Sequence, residues 1–222
     1  MLVLYLHPFN EPNMGTLMKR FSILFLFILI FPALHAQIQI GFKAGYNLSS
    51  FIISVPSDFY TYSSKSNFNA GIVVAFPLNG RFFLQPESVY SGQGSNVQLS
   101  GVNGVYNFQY LNFPVLLKYV APFHMVLETG PQLGFLLGAT LNESGFPSEN
   151  IKSQTNSSGY SWVFGVGYQL PMNLGLDVRY NLGLSHVQSD NSNAYNNAAI
   201  KNNVFQVGIY YLFRNIFPAD KN

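Results

Sequence analysis

The feature that most constrains this chain is an alternation of apolar with small or polar side chains, repeated over successive stretches of about 10 to 14 residues. In 174–184 every even-numbered residue is apolar or aromatic, whereas the odd-numbered ones include Asp177, Arg179 and Asn181. Successive side chains of a β-strand point to opposite faces of the sheet, so each such stretch has one apolar and one polar face. Because lipid offers backbone groups no hydrogen-bond partner, repetition of this pattern along the chain predicts an all-β fold, a closed antiparallel transmembrane β-barrel.

The composition also indicates a chain that faces lipid. Hydrophobic residues make up 48% of the 222 residues and charged residues 9%, whereas charged residues form about a quarter of an ordinary soluble domain. After the N-terminal leader no uninterrupted apolar run reaches the roughly 18 residues of a transmembrane helix, which argues against a helical bundle. The net charge of +2 includes no basic run, so nucleic-acid binding is not predicted. Without cysteine the chain has no disulfides or thiolate metal sites.

The N-terminal region predicts a cleavable signal peptide over 18–36. Basic residues at Lys19 and Arg20 precede an apolar stretch from 21 to 34, and a small residue, Ala36, comes just before Gln37. This apolar stretch is too short to span a bilayer comfortably, so we expect cleavage after Ala36 and export of the mature chain.

Residues 1–17 lie upstream of that signal peptide. They include a second methionine, Met14, so Met1, Met14 and Met18 are all candidate start residues. We expect a start site assigned too early, with a short N-terminal extension as the alternative.

The mature chain divides into eight predicted strands within a barrel domain over 37–213, followed by a C-terminal tail over 214–222. An even number of strands suits a closed up-and-down antiparallel barrel. The connections alternate between short turns, such as Asn79-Gly80, and longer polar segments, as expected for the periplasmic and extracellular ends of an outer-membrane barrel. The predicted strands are 38–49, 66–78, 82–96, 105–120, 124–140, 158–170, 173–187 and 201–213, and the predicted long loops are 50–65, 97–104, 141–157 and 188–200.

The same alternation directs six charged side chains into the lumen. Three are cations and three are anions: Lys43, Glu87, Lys118, Glu128, Asp177 and Arg179. The interior of an eight-stranded barrel is only wide enough for its own side chains, so these charges need partners. We therefore predict a packed, salt-bridged polar core with a structural role, and a narrow water-filled passage as the alternative.

Several motifs, in this order, resemble the PorT-like outer-membrane β-barrel family. They are GFKAGYNLS at 41–49, LQPE at 84–87, YLNFPVLLKY at 110–119, ETGPQLGFL at 128–136, GLDVRYNLGL at 175–184 and NVFQVGI at 203–209. Together they span nearly the whole mature chain. The resemblance implies an outer-membrane barrel of a Gram-negative cell envelope, and the family's eponym is associated with protein secretion by the type IX route.

From these observations we expect a non-enzymatic, monomeric barrel with a structural or interaction role. Its expected partners are outer-membrane lipid, the barrel-insertion machinery and envelope proteins, including a secretion or transport complex that it could assist. Such barrels commonly end on an aromatic residue, whereas Phe213 is followed here by a tail, so the insertion signal is predicted at Phe213 or Phe217. A narrow small-solute channel and a lipid-modifying enzyme are the alternative functions.

The enzyme alternative depends on Ser185, His186 and Asp190 at the extracellular end of the predicted strand 173–187. Adjacent strand residues point to opposite faces, so Ser185 and His186 do not readily form a nucleophile and base. No catalytic residue is therefore assigned. The spacing of histidines and carboxylates predicts no metal site and no cofactor.

Two further features carry structural predictions. The loop 141–157, with Glu143, Glu149 and Lys152, is predicted to be solvated and mobile, with ligand or partner binding as the alternative. Prolines inside three predicted strands remove hydrogen-bond donors from the sheet and predict bulges, bends or a seam where a partner docks. They are Pro86, Pro114 and Pro131.

Overall fold

The computed structural model describes residues 38–53, 60–99, 102–187 and 200–213. Several predicted features lie outside the described residues: the signal peptide, the segment upstream of it, Asp190, and the tail 214–222 with Phe217.

Among the described residues, nine strands form, all paired antiparallel. They are β1 (Gln39–Ile53), β2 (Tyr60–Asn79), β3 (Phe82–Leu99), β4 (Val102–Val120), β5 (Met125–Glu143), β6 (Glu149–Asn150), β7 (Ser158–Gln169), β8 (Leu174–Gly183) and β9 (Ile200–Leu212). The two-residue strand β6 adds to the extracellular end of β5. The other eight close a ring in which each strand pairs with its neighbours in sequence, and β1 pairs with β9 from Gly41↔Leu212 to Ile53↔Ile200. The predicted eight-stranded up-and-down barrel is confirmed.

The outward face of the ring is apolar and exposed, as a lipid-facing wall requires. On β1 the side chains of Ile40, Phe42 and Tyr46 point outward, whereas Lys43 and Asn47, each next to one of them in sequence, are buried. Aromatic rings pack edge to face near the periplasmic end, with the Phe42 and Phe213 ring centroids 5.5 Å apart. Among the described residues no helix is long and apolar enough to cross a membrane.

The periplasmic connections are short, as predicted. Asn79 pairs directly with Phe82 in a tight hairpin. The β4–β5 connection is a 3-10 turn, Pro122–His124, and Met172 with Asn173 has positive φ in the β7–β8 turn. Both ends of the described barrel, near Ile38 and Phe213, therefore lie at the periplasmic side.

The extracellular ends differ from the prediction because several strands continue well past the membrane. The prediction of a loop at 97–104 is wrong. β3 continues to Leu99, β4 begins at Val102, and these two residues pair with each other. The predicted loop 50–65 is likewise too long, since β1 extends to Ile53 and β2 begins at Tyr60. Apolar residues lie on both faces at Phe51 and Ile52, and the alternation lasts only three residues in Val97-Gln98-Leu99. The long apolar alternation that marks a membrane strand is therefore interrupted here, while backbone pairing continues.

The strand lengths make the barrel taller on one side. β2 to β5 have 18 to 20 residues, whereas β7, β8 and β9 have 12, 10 and 13. A transmembrane strand needs about 9 to 11 residues. Because all strands start from a common periplasmic end, the β2–β5 side projects beyond the membrane as a curved sheet, which we call the extracellular sheet.

The loop after β5 is folded rather than uniformly solvated. β6 is followed by a 3-10 turn, Lys152–Gln154, and flanking side chains are buried, with Ile151 6% and Thr155 8% exposed. The prediction of a solvated, mobile loop is wrong for this second part, because Ile151 inserts into a cluster of apolar side chains.

The prolines do not mark bulges. Between β3 and β4 the register does not shift from Pro86↔Val115 to Val89↔Asn112. Between β4 and β5 it does not shift from Pro114↔Gln132 to Leu117↔Thr129. A missing proline N–H removes a hydrogen bond without shifting the partner strand. The register shifts lie elsewhere, between Ser64 and Asn69, between Pro77 and Asn79, and beside Gln109 and Tyr110.

Candidate functional site

All six charged residues predicted for the lumen lie inside the ring. They come from β1, β3, β4, β5 and β8, and each side chain belongs to a residue that is at most 5% exposed. Their inward position follows from the side-chain alternation of each strand. The structure brings all six together in one network, which we call the lumen charge network.

Arg179 lies at the centre of this network. Its Nη1 and Nη2 atoms donate to the two carboxylate oxygens of Glu87 at 2.7 and 2.8 Å. Its Nε and Nη2 atoms also donate to Glu128, the Nη2 bond being 3.3 Å long. A planar guanidinium is suited to this two-sided, doubly bonded arrangement, whereas a lysine could not reproduce it.

The two lysines complete the charge balance. Lys43 donates to both oxygens of Asp177, at 2.8 and 3.1 Å. Lys118 lies 3.2 Å from Glu128 Oε2 and donates to Gln85 Oε1 at 3.1 Å, with its Nζ 4.4 Å from the ring centroid of Tyr210. Three cations thus face three anions at close range, so the buried network carries no formal net charge.

A layer of neutral polar side chains lies on the extracellular side of the charges. Asn47 is its hub: its amide nitrogen donates to Ser91 Oγ at 2.9 Å, and its amide oxygen accepts from Asn69 at 2.6 Å and Gln206 at 3.0 Å. These side chains are buried and were not among the predicted site residues, although strand parity alone directs Asn47 inward.

Apolar clusters occupy the two ends of the lumen. The periplasmic cluster contains Val73, Phe83, Val120, Val126, Tyr210 and Leu212. The extracellular cluster contains Phe51, Phe108, Tyr110, Leu136, Ala139 and Ile151. The lumen is therefore layered, with the charged and amide layers held between two apolar ends. Sequence reasoning missed the extracellular cluster because Ile151 comes from a segment that has no strand periodicity.

The residues considered for catalysis do not assemble a catalytic group among the described residues. The Ser185 hydroxyl accepts a hydrogen bond from the backbone N–H of Tyr160 at 2.9 Å. His186 is exposed, and its contact with Asn156 is through its backbone oxygen. Both residues lie beyond the end of β8 at Gly183, so the predicted strand 173–187 is too long. Within the described ranges no three metal-ligating side chains come together.

Comparison with known proteins identifies the kind of barrel. Residues 32–189 match the family described as outer membrane protein beta-barrel domain. The crystal structure of Neisserial surface protein A superimposes with a TM-score of 0.50 at 13% sequence identity, covering 78% of this chain and 96% of that one. No curated protein matches the chain at a significant level.

Two further solved barrels have lower TM-scores. Ail, the attachment invasion locus protein of Yersinia pestis, gives 0.44 at 15% identity, covering 79% of this chain and 98% of that one. OprG from Pseudomonas aeruginosa gives 0.43 at 13% identity, covering 80% and 95%.

Proposed function

The chain belongs to the outer membrane protein beta-barrel domain family and is located in the outer membrane, and from this premise we propose a barrel with no catalysis and no steady conductance. Its proposed role is structural or in binding other components of the envelope. The single observation that carries this proposal is the layered lumen, in which the charge network lies between two apolar clusters.

The charge network supports a closed interior for an energetic reason. Buried ions lose hydration, and only close partners offset that loss. Arg179 already uses its donors on Glu87 and Glu128, so moving an ion past it requires at least one of these buried pairs to separate. A conducting pore must bind a passing ion weakly enough for the ion to leave again. The lumen charge network instead holds its charges in tight, fixed pairs.

Planar-bilayer recording tests this proposal. The refolded protein, with insertion verified by its heat-dependent shift on a gel, should give no steady single-channel current in potassium chloride. The double variant Arg179→Ala with Glu87→Ala removes one cation and one anion from the middle of the lumen. It is the control that shows whether the recording detects a current when space is opened in the lumen. A reproducible steady current from the unchanged protein would favour the small-solute channel.

The interaction role rests on the extracellular sheet. β2 to β5 extend beyond the length that a membrane strand needs and expose neutral polar side chains such as Gln98, Asn103 and Gln109. We propose this surface as the contact for an envelope protein partner. Protein contacts form there without disturbing the lipid-facing wall.

We further propose that the chain is a member of the PorT-like group and a monomeric accessory of envelope secretion or transport. The ordered motifs from GFKAGYNLS to NVFQVGI support this finer grouping. Phe213, whose N–H bonds to Ile40, is a proposed contact for the barrel-insertion machinery. Crosslinking of the native envelope followed by mass spectrometry tests the partner: crosslinks from the extracellular sheet to a secretion component support it, and crosslinks to none contradict it.

A further inference from the structure

A small polar cavity opens on the low side of the extracellular rim, where β7 begins and β8 ends. Its volume is about 50 Å³, several times the roughly 10–15 Å³ that one water requires. Its inner wall includes the buried amides of Asn112 and Asn181, and its mouth includes exposed Ser158 and His186. The cavity thus connects the extracellular surface to the amide layer of the lumen.

Asn181 gives the cavity its chemical character. The residue is 2% exposed, and within the described part of the chain neither its amide nitrogen nor its amide oxygen has a hydrogen-bond partner. A second amide oxygen in the same wall, Asn202 Oδ1, is also buried and unpaired there, although Asn202 Nδ2 donates to Gln93 at 2.6 Å. Buried polar groups nearly always have a hydrogen-bond partner, and a buried donor or acceptor left without one costs about 1–3 kcal/mol.

The lining also restricts the charge of a ligand. Among the described residues that form the cavity none is lysine, arginine, aspartate or glutamate. Arg179 and Glu128, in the lumen charge network, are already paired with each other. A charged ligand would lose its hydration without gaining a countercharge, so the cavity favours a neutral one.

We propose that this cavity binds the hydroxyl groups of a neutral saccharide at the cell surface. A carboxamide donates through its nitrogen and accepts through its oxygen, and a pair of adjacent sugar hydroxyls matches both groups at once. The ring of Tyr160, 59% exposed at the mouth, offers an apolar face beside them. Because the cavity opens to the rim, only the polar edge of the sugar has to enter it.

Three glycines in the wall, Gly134, Gly159 and Gly183, leave the cavity open. Gly134 and Gly159 both line the cavity, and a side chain at Gly134 would meet Asn112 Oδ1 at 2.7 Å, whereas one at Gly159 would meet Ser185 Oγ at 3.0 Å. Gly183 is constrained by the backbone oxygen of Asn202 instead. Gly134 is therefore a position, two strands away from Asn181 in the ring, at which an added methyl group narrows the cavity.

The proposal goes beyond the proposed function and does not require a closed lumen, so the bilayer recording and the following test can fail separately. The barrel is refolded with ¹⁵N label into phosphatidylcholine nanodiscs, which contain no sugar detergent. Methyl β-D-glucoside, methyl β-D-galactoside and N-acetyl-D-glucosamine are titrated while the side-chain NH₂ signals of Asn181 are followed by NMR. Glucose 6-phosphate serves as the charged probe.

At least one neutral sugar should shift the Asn181 signals saturably, and glucose 6-phosphate should bind more weakly. N181L, which keeps the side-chain size but removes both polar atoms, and G134A should each weaken binding about tenfold or more, as read from backbone amides at the rim. N103L makes the same change on the exposed extracellular sheet and should bind like the unchanged protein. No saturable shift with any of the three sugars, or binding unaffected by both N181L and G134A, would overturn the proposal and leave a cavity that holds only water.

Discussion

Arg179 and Glu87 are 92 residues apart in the sequence and are joined by two parallel hydrogen bonds of 2.7 and 2.8 Å inside the barrel. They lie on β8 and β3, strands on different sides of the ring, so the pair ties the two walls together through the lumen. Glu128 on β5 bonds to the same guanidinium. The charge network therefore acts as an internal crosslink whose members depend on one another.

Removing one anion from this network should strongly destabilise the barrel. We predict that Glu128→Ala and Asp177→Ala each lower the free energy of unfolding by about 3–5 kcal/mol, because each leaves a cation buried without its partner. Urea unfolding in lipid vesicles, followed by tryptophan fluorescence of Trp162, measures the change. Glu143→Ala is the matched control, since Glu143 is exposed on the same strand as Glu128 and its loss should cost less than about 0.5 kcal/mol. Equal midpoints for Glu128→Ala and Glu143→Ala would contradict the packed network.

Removing an anion and its cation together should be far less harmful than removing either alone. Lys43 donates to both oxygens of Asp177, and the other four charges remain balanced without them. We predict that Lys43→Met and Asp177→Leu each destabilise by about 3 kcal/mol or more, whereas the double variant recovers most of that loss. The same unfolding measurement gives the coupling energy. Additive effects of the two substitutions would show that the pair is not the unit of stability.

The sequence predicts the barrel well because side-chain alternation is a local property. The inward position of Lys43, Glu87 and Arg179 follows from the parity of their own strands. Their pairing does not, because it depends on how eight registers add up around the ring. Lys43 reaches Asp177 across β9, where Asp177 pairs with Gly208, a residue without a side chain in the way. That geometry appears only after closure.

The extracellular end is less predictable for a different reason. In 97–104 the alternation is only three residues long on either side of Ser100-Gly101, in Val97-Gln98-Leu99 and Val102-Asn103-Gly104, and a run this short does not distinguish a strand from a loop. Ile151 is one apolar residue in a polar segment, and only the folded structure shows that it packs with Phe51 and Phe108.

The glycine at 165 should be required because the charge network occupies its space. A Cβ atom there would lie 2.7 Å from Glu128 Oε1 and 3.1 Å from Arg179 Cγ. We predict that Gly165→Ala destabilises the barrel by about 1–3 kcal/mol through overpacking. Gly80→Ala is the control, because no atom lies within 4 Å of a Cβ built at Gly80, in the periplasmic turn. Thermal unfolding on a gel compares the two, and a Gly165→Ala barrel as stable as Gly80→Ala would show that the network has room to move.

The segment around Ile151 should be held in place mainly by that one buried side chain. Ile151 belongs to the extracellular cluster, and Thr155 Oγ1 donates to its backbone oxygen at 3.0 Å. Burying an isoleucine contributes about 1.5–3 kcal/mol, so Ile151→Ser should raise the population of the open loop about tenfold or more. Trypsin then cleaves after Lys152 at a correspondingly higher rate, measured by mass spectrometry of intact cells that display the protein. Phe146→Ser is the matched control, because Phe146 is 66% exposed in the same loop and its loss should leave the cleavage rate unchanged. If both variants were cleaved at the rate of the unchanged protein, the apolar contact of Ile151 would not be what holds this segment in place.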